Sequence, residues 1–186
     1  NQNGSASLFN SLNKIDLNLY DSLAVGPGIG IDNKDWEKSK DLLMNFEGLL
    51  ILDADALNRI SESKFGSRFF LERKFKTWIT PHSKEFLRLF PYIESDTYVG
   101  LALKAAKEFN ISVLLKGANS VIADNKKAWQ LYGTDSQTAR AGLGDLLSGF
   151  IAGSSAIDLT FNRNITTEFF AKYVLLHSFA ASKCKN

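Results

Sequence analysis

Cysteine is almost absent: Cys184 is the single one in 186 residues, so no internal disulfide can form and no thiol pair can hold a metal. Histidine is nearly as scarce. His82 and His177 lie far apart, and no ligand cluster with metal-site spacing is visible. With disulfides excluded, a reducing cytoplasm is the expected compartment. No apolar run approaches the ~20 residues of a membrane span. The best candidate, residues 169–181, is interrupted by Lys172 and His177, and no signal peptide is seen. No block of one charge sign stands out either. Lys and Arg number 22 against 20 Asp and Glu, for a net charge of +2, so no nucleic acid or membrane partner is expected. Methionine is missing from the start. The chain begins at Asn1 and its only methionine is Met44, so a fragment or a processed chain is expected.

What is present is ordinary for a globular protein: 45% hydrophobic and 23% charged residues. A chain of this length reads as a single domain over residues 1–186, able to bury a sizeable core. Short apolar runs at 23–25, 49–52, 76–80 and 111–115 read as strands, and 121–124 with 128–132 as a hairpin around Asn125-Lys126-Lys127. Between them, helical spacing appears at 33–46, 61–74, 82–90 and 95–109, the last capped by Ser95 or Asp96. A final helix over 166–183 packs Phe169, Phe170, Tyr173, Val174 and Leu176. Residues 1–22 carry Leu8, Leu12, Ile15 and Leu19 as a weak amphipathic segment. This alternation predicts an α/β three-layer fold with a largely parallel sheet.

The most informative stretch is TARAGLGDLLSGFIAG, residues 138–153. Gly142 and Gly144 let backbone approach a ligand just before a helix whose buried face would carry Leu146, Leu147, Phe150 and Ile151. Bare N–H groups and the positive end of the helix dipole make an anion site there. Asp145, in the first turn, stands where a general base for phosphoryl transfer is wanted, although an aspartate at such a position also serves as a cap. Upstream, Gly26-Pro27-Gly28-Ile29-Gly30 follows the first strand, a favoured ligand position in α/β sheets. LDADALN, residues 52–58, follows the second. In extended chain Asp53 and Asp55 would face one side and could reach Mg²⁺ through water, but capping is the commoner use of such an Asp. His82 follows the third strand and Lys116-Gly117-Ala118-Asn119-Ser120 the fourth.

These motifs occur in one order: GPGIG, LDADALN, TPHSKEF at 80–86, LKGANSVIAD at 115–124 and AGLGD at 141–145. Over residues 23–155 the chain resembles the NAD(P)H-hydrate dehydratase family of the ribokinase-like superfamily. The resemblance implies a ribokinase-like fold without its N-terminal units in this chain. It also implies the reaction: ADP or ATP, with Mg²⁺, phosphorylates the hydroxyl of hydrated NADH or NADPH, and loss of phosphate restores the reduced cofactor. Asp145 would be the base and a substrate contact. Gly28, Gly30 and His82 would line the hydrate, and Lys116, Gly117, Ala118, Asn119, Ser120, Gly142 and Gly144 would hold the nucleotide. No protein-held metal is implied. An epimerase domain, fused or separate, is an implied partner. A sheet without its first βα units would need a partner copy or a further segment to cover it, so a homo-oligomer is expected.

Leu143 and Arg140 depart from the family pattern, in which a smaller residue and a threonine are usual. The competing readings are a vitamin-precursor kinase of the same superfamily and a non-catalytic nucleotide-binding remnant. The kinase shares AGLGD but explains LDADALN and TPHSKEF less well.

Overall fold

Leu49, Leu50, Ile51 and Leu52 are each at most 3% exposed, because their strand lies inside a sheet covered on both faces. The computed structural model describes residues 7–30, 32–132, 142–162 and 164–183. Six strands stand in sequence order: β1 (Ser22–Val25), β2 (Leu49–Leu52), β3 (Thr77–Ile79), β4 (Ser112–Leu115), β5 (Val121–Ala123) and β6 (Ala128–Gln130). The first four are parallel, and β5 and β6 return antiparallel as a hairpin.

Because the order never reverses, the crossover helices fall on one face of the sheet. They are α2 (Asn33–Asn45), α3 (Ala54–Glu62), α4 (Arg68–Glu72), α5 (Ser83–Leu89) and α6 (Tyr98–Phe109), preceded by a short α1 (Leu8–Leu12). Their apolar sides meet Leu50, Leu52, Ile79, Val113 and Leu115. The alternate residues Leu49, Ile51, Trp78, Leu114 and Ile122 point to the other face, covered by α7 (Leu143–Phe161) and α8 (Thr167–Lys183). There Trp78 and Phe170 stack with ring centroids 4.5 Å apart. The result is the three-layer α/β architecture expected from the sequence.

Buried polar groups tie the layers together. The Asp35 carboxylate accepts from Ser7 Oγ and from the N–H groups of Leu8 and Phe9, which docks α1 on α2. Arg73 donates to the carbonyls of Leu43, Met44 and Gly48 and to Thr77 Oγ1, satisfying the end of α2. Burial lowers its guanidinium to about 10.

Several expectations need correction. The helix placed over 61–74 instead begins at Ala54, ends at Glu62, and is followed by the separate five-residue α4. Asp53 and Asp55 are therefore not side by side in extended chain. The cap of α6 is Thr97, whose side chain accepts from Gly100 N–H, rather than Ser95 or Asp96. On α7 only Leu147 and Ile151 of the four expected core residues are buried, while Leu146 is 65% exposed. Leu176 on α8 and Ile15 and Leu19 near the start are also exposed. As an edge strand, β1 keeps Leu23 and Ala24 only half-buried. Among the described residues no helix is long and apolar enough to cross a membrane.

Candidate active site

Each parallel strand ends on the same edge of the sheet, and each end carries a motif singled out in the sequence. β1 runs into Gly26–Gly30, β2 into Asp53, β3 into His82 and β4 into Lys116. Lys116 N–H donates to the Pro81 carbonyl at 2.8 Å, and a bridge pairs His82 with Lys116. Backbone thus holds the loops after β3 and β4 in contact.

The glycine loop is clamped from α3. Arg59, 1% exposed, donates to the carbonyls of Ile29, Gly30 and Asp32, and Asp55 accepts from Gly30 N–H at 2.9 Å. Burial lowers the Arg59 pKa, while the charges of Asp35, Asp32 and Asp55 oppose that shift. Gly26 must be glycine for a steric reason: a Cβ there would lie 1.7 Å from the Asp53 carbonyl oxygen. Ala54, just after Asp53, takes a positive φ of 46°, an uncommon conformation outside glycine.

His82 is the N-cap of α5. Its Nδ1 accepts from Lys84 and Glu85 N–H while Glu85 accepts from His82 N–H, forming a reciprocal capping box. Nδ1 is therefore the acceptor, which puts the proton of a neutral ring on Nε2, 3.4 Å from Glu85 Oε1. The imidazole is 48% exposed at the site edge.

Lys116 Nζ pairs with Asp53 Oδ1 at 2.8 Å, and Ser148 Oγ donates to Asp53 Oδ2 at 2.7 Å. Gly142, in left-handed conformation, is the N-cap of α7, so Asp145 is the third helical residue and not the cap. Its carboxylate is exposed and faces the favourable end of the helix dipole. The N–H groups of Leu143, Gly144 and Asp145 precede the first intrahelical bond, which runs from Leu146 N–H to the Gly142 carbonyl. A methyl on Gly144 would lie 3.9 Å from Lys116 Nζ, so lysine and helix start address one space. Beside Gly117, Ala118 and Asn119 opens a cavity of about 470 Å³, also lined by Thr97, Tyr98 and Gln130. Thr138, Arg140, Ala141 and Cys184 lie outside the described residues.

The family model described as NAD(P)H-hydrate dehydratase matches residues 5–185. The chain belongs to that family. A bifunctional NAD(P)H-hydrate repair enzyme from Synechocystis sp. is 35% identical over 143 residues, covering 76% of this chain and 26% of its own length. The enzyme of the same name from Methanopyrus kandleri is 34% identical over 155 residues, covering 78% of this chain and 28% of its own. This NAD(P)H-hydrate dehydratase family member thus spans little more than a quarter of those curated relatives. In fold it is similar to the ADP/ATP-dependent NAD(P)H-hydrate dehydratase from Bacillus subtilis co-crystallised with ATP and Mg²⁺. The TM-score is 0.74 at 23% identity, over 94% of this chain and 61% of that one.

Two residues and one pairing at this edge escaped the sequence reading. Arg59 follows LDADALN directly, but nothing in a lone arginine announces three carbonyl partners. Ser148 lies one helical turn after Gly144, a spacing that could have placed it on the site-facing side of α7. The pairing of Asp53 with Lys116 joins residues 63 positions apart and has no local signal.

Proposed function

We propose that this chain catalyses nucleotide-dependent dehydration of hydrated NADH and NADPH. The observation that carries the reading is the meeting of the Lys116 ammonium with the first turn of α7, whose leading N–H groups have no partner among the described residues, with exposed Asp145 alongside. Asp145 takes the proton of the ring hydroxyl as that oxygen attacks the terminal phosphorus of ADP or ATP. The bond from phosphorus to the nucleotide breaks, and Lys116 with the N–H groups of Leu143 and Gly144 holds the charge that develops. Cleavage of the carbon–oxygen bond then expels phosphate, driven by the ring nitrogen lone pair, and loss of a proton restores the reduced nicotinamide.

Gly28, Gly30 and His82 are assigned to the hydrate. Lys116 to Ser120, with Gly142 and Gly144, are assigned to the nucleotide, whose nucleoside has room in the cavity beside Gly117 and Asn119. Among the described residues no three His, Cys, Asp or Glu gather to hold a metal. Mg²⁺ would be carried in on the nucleotide phosphates, which is how this ion commonly binds. The B. subtilis structure, crystallised with ATP and Mg²⁺, supports a nucleotide as phosphoryl donor.

The test is to incubate the protein with NADH hydrate and either nucleotide and follow the absorbance of reduced nicotinamide. Its return supports the dehydratase. A stable phosphorylated product would instead identify a kinase, and nucleotide binding without turnover a remnant.

A further inference from the structure

Asp53 is 2% exposed, yet its carboxylate serves three donors from three parts of the chain. Oδ1 accepts from Ala54 N–H at 2.9 Å and from Lys116 Nζ at 2.8 Å, and Oδ2 accepts from Ser148 Oγ at 2.7 Å. A capping aspartate needs only the first of these. The other two join the end of β4 to the second turn of α7. Ser148 Oγ also lies 3.2 Å from the Gly144 carbonyl, in the first turn of α7.

The consequence falls on Lys116. Its side chain is 26% exposed, and a lysine at an open edge samples many rotamers, whose loss opposes binding when a ligand must impose it. Here the protein imposes it beforehand. An ammonium has three N–H donors; Asp53 takes one and leaves two for the space in front of α7. Because Asp53 also holds Ser148, lysine and helix are referenced to one carboxylate rather than to each other through solvent.

We propose that Asp53 is a positioning residue for phosphoryl transfer. It fixes the Lys116 ammonium and the first turns of α7 at one spacing, so that both meet the same phosphate group. This rests on the dehydratase reading of the site.

A double-mutant cycle on the full chain tests it, with Asp53→Asn, Lys116→Met and the two combined, each scored by kcat/KM for the nucleotide. Asp53→Asn should lower kcat/KM ~10²-fold, the scale of a small misplacement of a reacting group. In the Lys116→Met background the same change should cost under about threefold, since residues acting through one another are not additive. Losses that multiply in the double variant, or a single loss under about threefold, overturn the proposal. A second arm needs neither variants nor turnover: nitrogen-15 NMR of the wild-type Lys116 ammonium. Signals protected from solvent exchange support the Asp53 bond, and their absence overturns it even if Asp53→Asn does not fold. Should wild type bind nucleotide but restore no reduced nicotinamide, the dehydratase reading fails, and the ammonium signal still decides what Asp53 does.

Discussion

Gly26 and Asp53 meet backbone to backbone: a Cβ on the first would stand 1.7 Å from the carbonyl oxygen of the second. This contact brings the glycine loop against the carboxylate that holds Lys116. Since the obstacle is backbone and φ at Gly26 is 143°, neither partner can yield cheaply. Gly26→Ala should cost about 3 kcal/mol or more, the upper range of overpacking penalties. A urea midpoint unchanged within error would contradict this.

Arg59 supplies the donors for three carbonyls of the same loop. Arg59→Met keeps much of the volume and strands those acceptors, at about 3 kcal/mol in total. The Michaelis constant for the hydrate should rise while nucleotide affinity, measured by calorimetry, stays within a few-fold. Equal losses for both ligands would place the loop outside the hydrate pocket.

His82 combines a cap with an exposed ring, and two substitutions separate these. His82→Ala loses the cap and should cost about 1 kcal/mol, or roughly 3 °C in Tm for a protein of this size. Asparagine is a good N-cap, so His82→Asn should melt near wild type. If Nε2 contacts the hydrate, both variants raise KM for it equally. Activity restored by asparagine would leave His82 a cap alone.

Asp145 is the third residue of α7, with Gly142 as cap, so its replacement removes no capping bond. Asp145→Asn should therefore melt close to wild type, bind ADP nearly as well, and turn over ~10²-fold or more slowly, the scale of general-base contributions. Turnover within a few-fold of wild type would remove Asp145 from the proposed chemistry.

Burial lowers the His177 pKa below its ordinary value of 6.5, with the Phe150 ring centroid 6.2 Å away. The folded state thus binds this proton less readily than the unfolded chain. Its contribution to stability is present above 6.5 and is lost as pH falls through the lowered folded value. Thermal melts from pH 7 to pH 5 should show stability falling, and His177→Gln should flatten that slope. An identical slope in the variant would assign the acid sensitivity elsewhere.

The strands were legible because unbroken apolar runs such as Leu49–Leu52 admit little else, and the strand-then-motif order placed the site on one edge. The start of α3 was not. Ala54 turns the chain from strand into helix in a single left-handed step, with no glycine to mark it. Two aspartates that look like a pair in extended chain are thereby sent to different partners, Asp53 to Lys116 and Asp55 to Gly30. On α7 the apolar pattern was wider than the contact: Leu147 and Ile151 meet the sheet, where Ser148 and Ser155 are buried too, and Leu146 does not. Sequence spacing shows which residues can share a face, but burial depends on what stands opposite.

The monotonic strand order also bears on how the molecule is made. Ser22 pairs with Leu49, Leu50 with Thr77 and Trp78 with Ser112, so each new strand leaving the ribosome finds its neighbour already synthesised. At a chain growth of about 5–20 residues per second, each of these partners follows within seconds. The exception is the second face of the sheet. Leu49, Ile51, Trp78, Leu114 and Ile122 are all complete before α7 and α8 exist to cover them. Until Phe170 arrives to stack on Trp78, the nascent sheet carries a bare apolar face, and this interval is when a chaperone would have most to hold.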